Sequence, residues 1–329
     1  MTSRKPPAYE PRPVPVPEDR PYLLPDGDVL FVGNDGMAAL LDELNSIFTE
    51  THPDIRFHGV FEGSSTGFPA LISGATPLTA LSREVWPEAL AAFHATHGYE
   101  PRSITFGYSG HGPRDNGRTP PSIYTHRDNP LPGLTMEQAV RIFSDGHHDG
   151  SLVRWSQLGL EGRWAGRRIH AYLPDDGLGF VGGFQARFFD GLPVAARAEN
   201  VGSREDAVLA VADDPFGICV VGWCAARELT DQVRELPLAA TDGEPYRTAS
   251  KEDVAAGAYP LSYPLNLYLW EDPDGIDPLA YEYCRLALSR QGQEAVARQT
   301  PTEEGYVPLS AAHLAAQRAK LESWAGEVA

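Results

Sequence analysis

The run most suggestive of chemistry in this 329-residue chain is Gly63-Ser64-Ser65-Thr66-Gly67. Its glycines let backbone approach a bound group closely, and its hydroxyls are directed donors. At the start of a helix such a run also offers free backbone N–H groups and the positive end of the helix dipole. That combination suits an oxyanion such as phosphate, sulfate or carboxylate. The structural alternative is plain N-capping by Ser or Thr. Gly33-Asn34-Asp35-Gly36 is a second glycine-bounded turn after an apolar run, without the Gly-x-Gly-x-x-Gly spacing of a dinucleotide site. Leu173 to Gly179 is a third turn, and its paired carboxylates, Asp175 and Asp176, suit either helix capping or ligand contact. Asp145-Gly-His147-His148-Asp149 has the composition of a metal site, but its polar setting after a helix reads as a surface turn, and no metal is expected. There is no nucleophile elbow and no P-loop, and no cofactor is expected.

The elements that position these turns follow from hydrophobic periodicity. Asp28 to Gly33 is a buried strand, and Met37, Leu40, Leu41, Leu44, Ile47 and Phe48 form one face of a following helix. A strand over 55–61 leads into the Gly63–Gly67 turn and a short helix closed by Gly74. Strand–helix–strand–helix order argues for an α/β layer with parallel strands. Further strands are expected at 103–108, 122–126, 169–172, 217–221 and 259–270. Helices are expected at 135–143 (capped by Thr135), 180–189, 203–212, 281–288 and 292–298. Residues 1–25 are proline-rich and read as an extended arm on the surface. No internal repeat is evident.

Bulk properties narrow the function. The net charge of −18 disfavours nonspecific attachment to nucleic acid or anionic membranes, while a local positive site for a small anion remains compatible with it. Three cysteines, Cys219, Cys224 and Cys284, are not a disulfide framework. The visible N-terminus lacks the apolar run of a secretory signal. The expectation is a cytoplasmic protein if Met1 is the native start, and an exported one (periplasmic or extracellular) if a signal has been removed.

Several stretches together carry a family likeness. Gly63-Ser-Ser-Thr-Gly-Phe-Pro-Ala-Leu-Ile-Ser-Gly-Ala, Leu78-Thr-Ala-Leu-Ser-Arg83, Leu134-Thr-Met-Glu-Gln, Trp155-Ser-Gln-Leu-Gly, Ala258-Tyr-Pro-Leu-Ser-Tyr-Pro-Leu and Gly305-Tyr-Val-Pro-Leu occur in order. Over about residues 27–312 the chain resembles the phosphate-binding proteins among the periplasmic solute-binding proteins of ABC transporters. The resemblance implies a two-lobed α/β fold of the type 2 periplasmic-binding-protein class, each lobe a sheet flanked by helices with a ligand cleft and hinge between them. It implies domain I over 26–107 plus 259–329, and domain II over 108–258. The ligand-binding residues it implies are Asn34, Asp35, Gly36, Ser64, Ser65, Thr66, Arg83, Asp175, Asp176 and Gly177. Its implied partners are a small-molecule or oxyanion ligand and a membrane permease, with no nucleic acid.

Family members that bind phosphate carry an arginine and then Ser-Gly-Thr at the third helix start. Here the arginine position falls on Leu173, and the Ser and Thr positions fall on Gly177 and Gly179. Charge-assisted hydrogen bonds to an anion contribute roughly 1.5–3 kcal/mol each. Losing two or three predicts phosphate affinity weakened by about three orders of magnitude. The leading expectation is a receptor for an oxyanion or related polar ligand. A second is a cleft retuned by Asp35, Asp175 and Asp176 toward a less anionic ligand. The alternative is a cytoplasmic enzyme that has repurposed the fold and its cleft carboxylates, although no nucleophile–base constellation supports turnover.

Overall fold

The computed structural model describes residues 6–63, 65–113, 118–175, 179–224, 229–272 and 275–328. In chain order the strands are β1 (Val29–Gly33), β2 (Phe57–Phe61), β3 (Leu78–Leu81), β4 (Arg102–Ser109), β5 (Ser122–His126), β6 (Leu134–Thr135), β7 (His170–Pro174), β8 (Glu199–Val201), β9 (Gly217–Val221), β10 (Val233–Glu235), β11 (Leu238–Ala239), β12 (Tyr263–Leu269), β13 (Glu271–Asp272) and β14 (Gly275–Ile276). The helices are α1 (Ala38–Thr51), α2 (Gly67–Ile72), α3 (Pro87–His97), α4 (Met136–Phe143), α5 (Phe180–Phe188), α6 (Arg204–Asp213), α7 (Lys251–Ala255), α8 (Pro278–Ala287), α9 (Arg290–Arg298) and α10 (Ala311–Glu322). Among the described residues, no helix is long and apolar enough to cross a membrane. The chain divides into two compact units. Unit 1 runs to Ser109 and resumes at Ala255–Gly257 and from Tyr263 onward; unit 2 holds Gly110–Val254 and Ala258–Ser262.

Unit 1 is a sheet ordered β2-β1-β3-β12-β4. β1 pairs in parallel with β2 and β3, and β12 runs antiparallel to both β3 and β4. Alternation along the strands sends Phe31, Leu78, Ala80, Ile104, Phe106, Leu265, Leu267 and Leu269 to one core, against α1, α8 and α9. The opposite face sends Leu81 and Tyr268 to a smaller core beneath α2 and α3. Tyr283 of α8 anchors the larger core, meeting Phe31 edge to face at 5.4 Å and donating its hydroxyl to Asn45 Oδ1 at 2.8 Å. The proline-rich arm lies on this unit. Arg290 N donates to Pro7 O at 2.8 Å, Tyr9 N to Gln291 Oε1 at 2.7 Å, and Arg12 N to Glu282 Oε1 at 3.1 Å.

Unit 2 is a sheet ordered β10-β5-β9-β7-β8. β7 pairs in parallel with β8 and β9, while β5 runs antiparallel to β9 and to β10. Read from its other edge, this is the arrangement of unit 1. Three successive strands lie in the order second-first-third, followed by an antiparallel strand from elsewhere in the chain and one more strand. The repeat is topological, so residue patterns do not disclose it. Helix α6 covers the sheet with Ala207, Val208 and Val211, packed on Tyr124, Cys219 and Val221. Thr135 caps α4 as its position suggested, accepting from Gln138 N at 3.2 Å, while Thr135 N donates back to Gln138 Oε1 at 3.1 Å.

One strand begins later than its apolar run suggests. Tyr259–Ser262 is a turn, with Ser262 N donating to Tyr259 O at 3.0 Å, and β12 starts at Tyr263. Pro260 lacks the N–H that a strand there would need. Cys219, Cys224 and Cys284 are buried and form no disulfide among the described residues, and burial pushes the Cys219 and Cys284 thiols up.

Candidate functional site

In open α/β sheets, ligands are held beyond the carboxyl ends of the parallel strands. In unit 1 those ends carry Asn34 after β1, Gly63–Thr66 after β2, and Ser82 and Arg83 after β3. Asn34 has an extended backbone (φ −74°, ψ 136°) and caps the turn that leads into α1. Its Oδ1 accepts from Gly36 N at 2.7 Å, and its Nδ2 donates to Ser82 Oγ at 2.9 Å. One amide thus ties the first helix start to the end of β3. Asn34→Ala is expected to destabilise the chain by about 1 kcal/mol, the usual loss for a missing N-cap, read as a lower denaturant midpoint with unchanged slope. Asp35 is exposed at this turn.

Gly36 is hemmed in by the protein itself. Tyr306 donates its hydroxyl to Gly36 O at 2.9 Å. A Cβ at Gly36 would meet Glu304 Oε2 at 3.0 Å and Tyr306 Oη at 3.2 Å. Burial, followed by the neighbouring Glu304 carboxylate, pushes the Tyr306 hydroxyl up, so it stays a neutral donor. Glu304 and Tyr306 were not candidate site residues from sequence, although Tyr306 lies in the Gly305-Tyr-Val-Pro-Leu stretch of the family likeness. They reach this turn from the far end of the chain, and no local spacing connects them to it.

The second helix start is built differently from a simple cap. Thr66 stands at the N-cap position of α2 but makes no capping bond. Its Oγ1 instead donates to Gly63 O at 2.8 Å, closing the turn on itself. Gly63 takes φ +113°, where an L side chain is strained, and Ser65 is exposed. Gly67 faces the sheet: a Cβ there would lie 2.1 Å from Thr79 Oγ1, which is fixed by donating to Val32 O at 2.7 Å. Gly67 therefore serves helix–strand contact. Ser64 lies outside the described residues.

Arg83 is the cation of this edge. It is half-buried, and its Nε is buried with no hydrogen-bond partner among the described residues. Its guanidinium lies over the Trp86 ring, 4.9 Å from the centroid. Desolvation lowers its pKa from the ordinary arginine value, offset in part by Tyr263, and no carboxylate among the described residues contributes. The contrast with Arg102 is direct. That guanidinium also sits over an indole, Trp324 at 5.4 Å, but it is paired with Glu271 and Glu327.

In unit 2 the corresponding edge follows β7. Asp175 is exposed, and its N donates to Val201 O at 2.7 Å. Leu173 is 2% exposed within the strand. Gly179 occupies the N-cap position of α5 and has no side chain to cap with. Asp176 and Gly177 lie outside the described residues. The topological repeat marks a further helix start, at α6. Ser203 Oγ accepts from Asp206 N at 3.0 Å, and Arg204 Nη1 donates to Trp223 O at 3.0 Å.

His147, His148 and Asp149 have ligand atoms within 4.8 Å of one another at the surface. His147 Nδ1 already accepts from Asp149 N at 3.1 Å, which closes the turn.

A family model described as the PBP superfamily domain matches residues 25–291. The phosphate-binding protein PstS of Pseudomonas aeruginosa is 28% identical over 289 residues, covering 87% of this chain and 84% of that protein. Among solved structures, PstS from Borrelia burgdorferi superposes with a TM-score of 0.57 at 16% identity, covering 85% of this chain and 98% of that one. An ABC-type phosphate transport receptor from Vibrio cholerae gives 0.52 at 18% identity, covering 85% and 99%. These likenesses agree with the two repeated α/β units in assigning the two-lobed periplasmic-binding-protein fold. The chain belongs to the PBP superfamily, as a solute-binding member related to the phosphate-binding proteins.

Proposed function

We propose that this protein binds a small oxyanion, anchored by Arg83 and the turns around it, and presents it to a membrane permease. The observation that carries the reading is Arg83 itself, a half-buried guanidinium whose buried Nε has no hydrogen-bond partner, and whose charge no carboxylate neutralises, among the described residues. A donor left unsatisfied in the interior is costly, and an anion from solution is the natural partner for such a charge. Ser65, exposed on the second turn, and the backbone at Asp35 are the further candidate contacts. The relatives are phosphate-binding proteins, so inorganic phosphate is the first ligand to test. Calorimetric titration of phosphate into extensively dialysed protein is expected to give saturable binding. Its affinity should be weaker than that of a site with a second arginine, because Leu173 is buried and apolar.

Leu173 also favours a second reading, in which the site is retuned to a ligand of lower negative charge. Asp35, Asp175 and Asp176 then meet the ligand instead of repelling it. No heat at millimolar phosphate would reject the first reading in favour of this one.

A further inference from the structure

Arg83 has an aromatic partner, where several other arginines of the chain have an acidic one. Trp86 stacks on its guanidinium at 4.9 Å. Among the described residues, Arg102, Arg163, Arg197 and Arg298 each pair with a carboxylate. The backbone that carries the indole is fixed. Pro87 opens α3 and holds Trp86 extended, at φ −62° and ψ 140°. The amides of Ala89 and Leu90 then donate to Trp86 O at 2.9 and 3.1 Å. Val85 and Leu90 pack into the small core beneath the helix, so the segment carrying the indole is itself anchored.

We infer that Trp86 is a positioning residue for oxyanion binding: it holds the Arg83 guanidinium in place without neutralising it. The inference rests on the oxyanion reading above and assigns the residue that makes Arg83 usable. A carboxylate could fix the same side chain, but it would occupy the donor edge and cancel the charge that the ligand needs. An indole face attracts the cation through its quadrupole and leaves the N–H groups free. An arginine whose rotamers are already restricted loses less entropy when it closes on a ligand.

The test is phosphate titration of wild type, Trp86→Phe, Trp86→Ala and Trp86→Glu, read by calorimetry and by tryptophan emission, with melting temperature recorded for each. Trp86→Ala is expected to weaken phosphate binding about tenfold at a near-wild-type melting temperature. Trp86→Phe, which keeps a ring over the guanidinium, should stay within about threefold of wild type. It should also lose the phosphate-induced emission change expected of wild type. Trp86→Glu should bind more weakly than Trp86→Ala, because it adds the acidic partner that the native site avoids. Wild-type affinity in Trp86→Ala, or failure of Trp86→Phe to rescue, would overturn the inference while leaving the oxyanion reading intact. Wild type that binds no phosphate would overturn the oxyanion reading, and this inference with it.

Discussion

Replacing Arg83 by methionine should weaken phosphate binding by about a hundredfold or more, the loss expected for charge-assisted hydrogen bonds in a partly desolvated site. Methionine keeps an unbranched stem that can lie on the Trp86 ring, so packing is largely retained and the effect isolates the charge. The fold should gain slightly if it changes at all, because a buried donor without an acceptor is removed. Arg83→Lys should recover only part of the affinity. An ammonium is a point charge, with neither the planar donor fork nor the flat face that stacks on an indole. The readout is calorimetry on the three proteins, with melting temperatures as the control. Equal phosphate affinity in wild type and Arg83→Met would remove Arg83 from the site and leave the oxyanion proposal without its main support.

The second large effect is on stability. Gly67→Ala places a methyl 2.1 Å from Thr79 Oγ1. That hydroxyl can yield only by breaking its bond to Val32 O, in the strand beside it. Overpacking of this kind costs about 1–3 kcal/mol, and the lost buried hydrogen bond adds to it. Gly63→Ala meets no atom within 4 Å but must hold an alanine at φ +113°, a strain of about 1 kcal/mol or more. The two glycines of one motif should therefore differ, with Gly67→Ala the more damaging. Urea unfolding of the two variants decides it. A Gly67→Ala protein as stable as wild type would mean that α2 can lift from β3 without penalty.

That contrast also shows what sequence can and cannot disclose here. The Gly63–Gly67 run announces a tight turn before a helix, and such a turn is present. The run does not say which glycine serves the turn and which serves the sheet, because the answer lies in Thr79, on another strand. Strands β1 and β9 were legible as short, continuous apolar runs, and helix α1 because its apolar residues recur about every three and a half positions. Helices α3 and α10 were not. They are rich in alanine, and α3 buries only Phe93 while α10 buries only Leu314 and Leu321, too few to mark a face. Arg83 stood out by type at a strand end, but Trp86, three residues on, gave no sign that it would fold back over the guanidinium. Glu304 and Tyr306 were beyond reach for a simpler reason: their neighbour is Gly36, and only the folded chain brings the two ends together.

The place of β12 in its sheet has a consequence for how this protein is made. β12 lies between β3 and β4, yet it comes from residues 263–269, after all of unit 2. During vectorial synthesis the inner unit has all of its strands once residue 262 has emerged. The outer unit by then has its first four strands but not the one that joins β3 to β4. Two bare sheet edges must wait beside each other, open to mispairing with other chains. The N-terminal arm waits as well, since its partners Glu282, Arg290 and Gln291 are translated later still. The unit whose synthesis starts before the other is thus the one completed after it, and its protection in the interval falls to the ribosome and to chaperones.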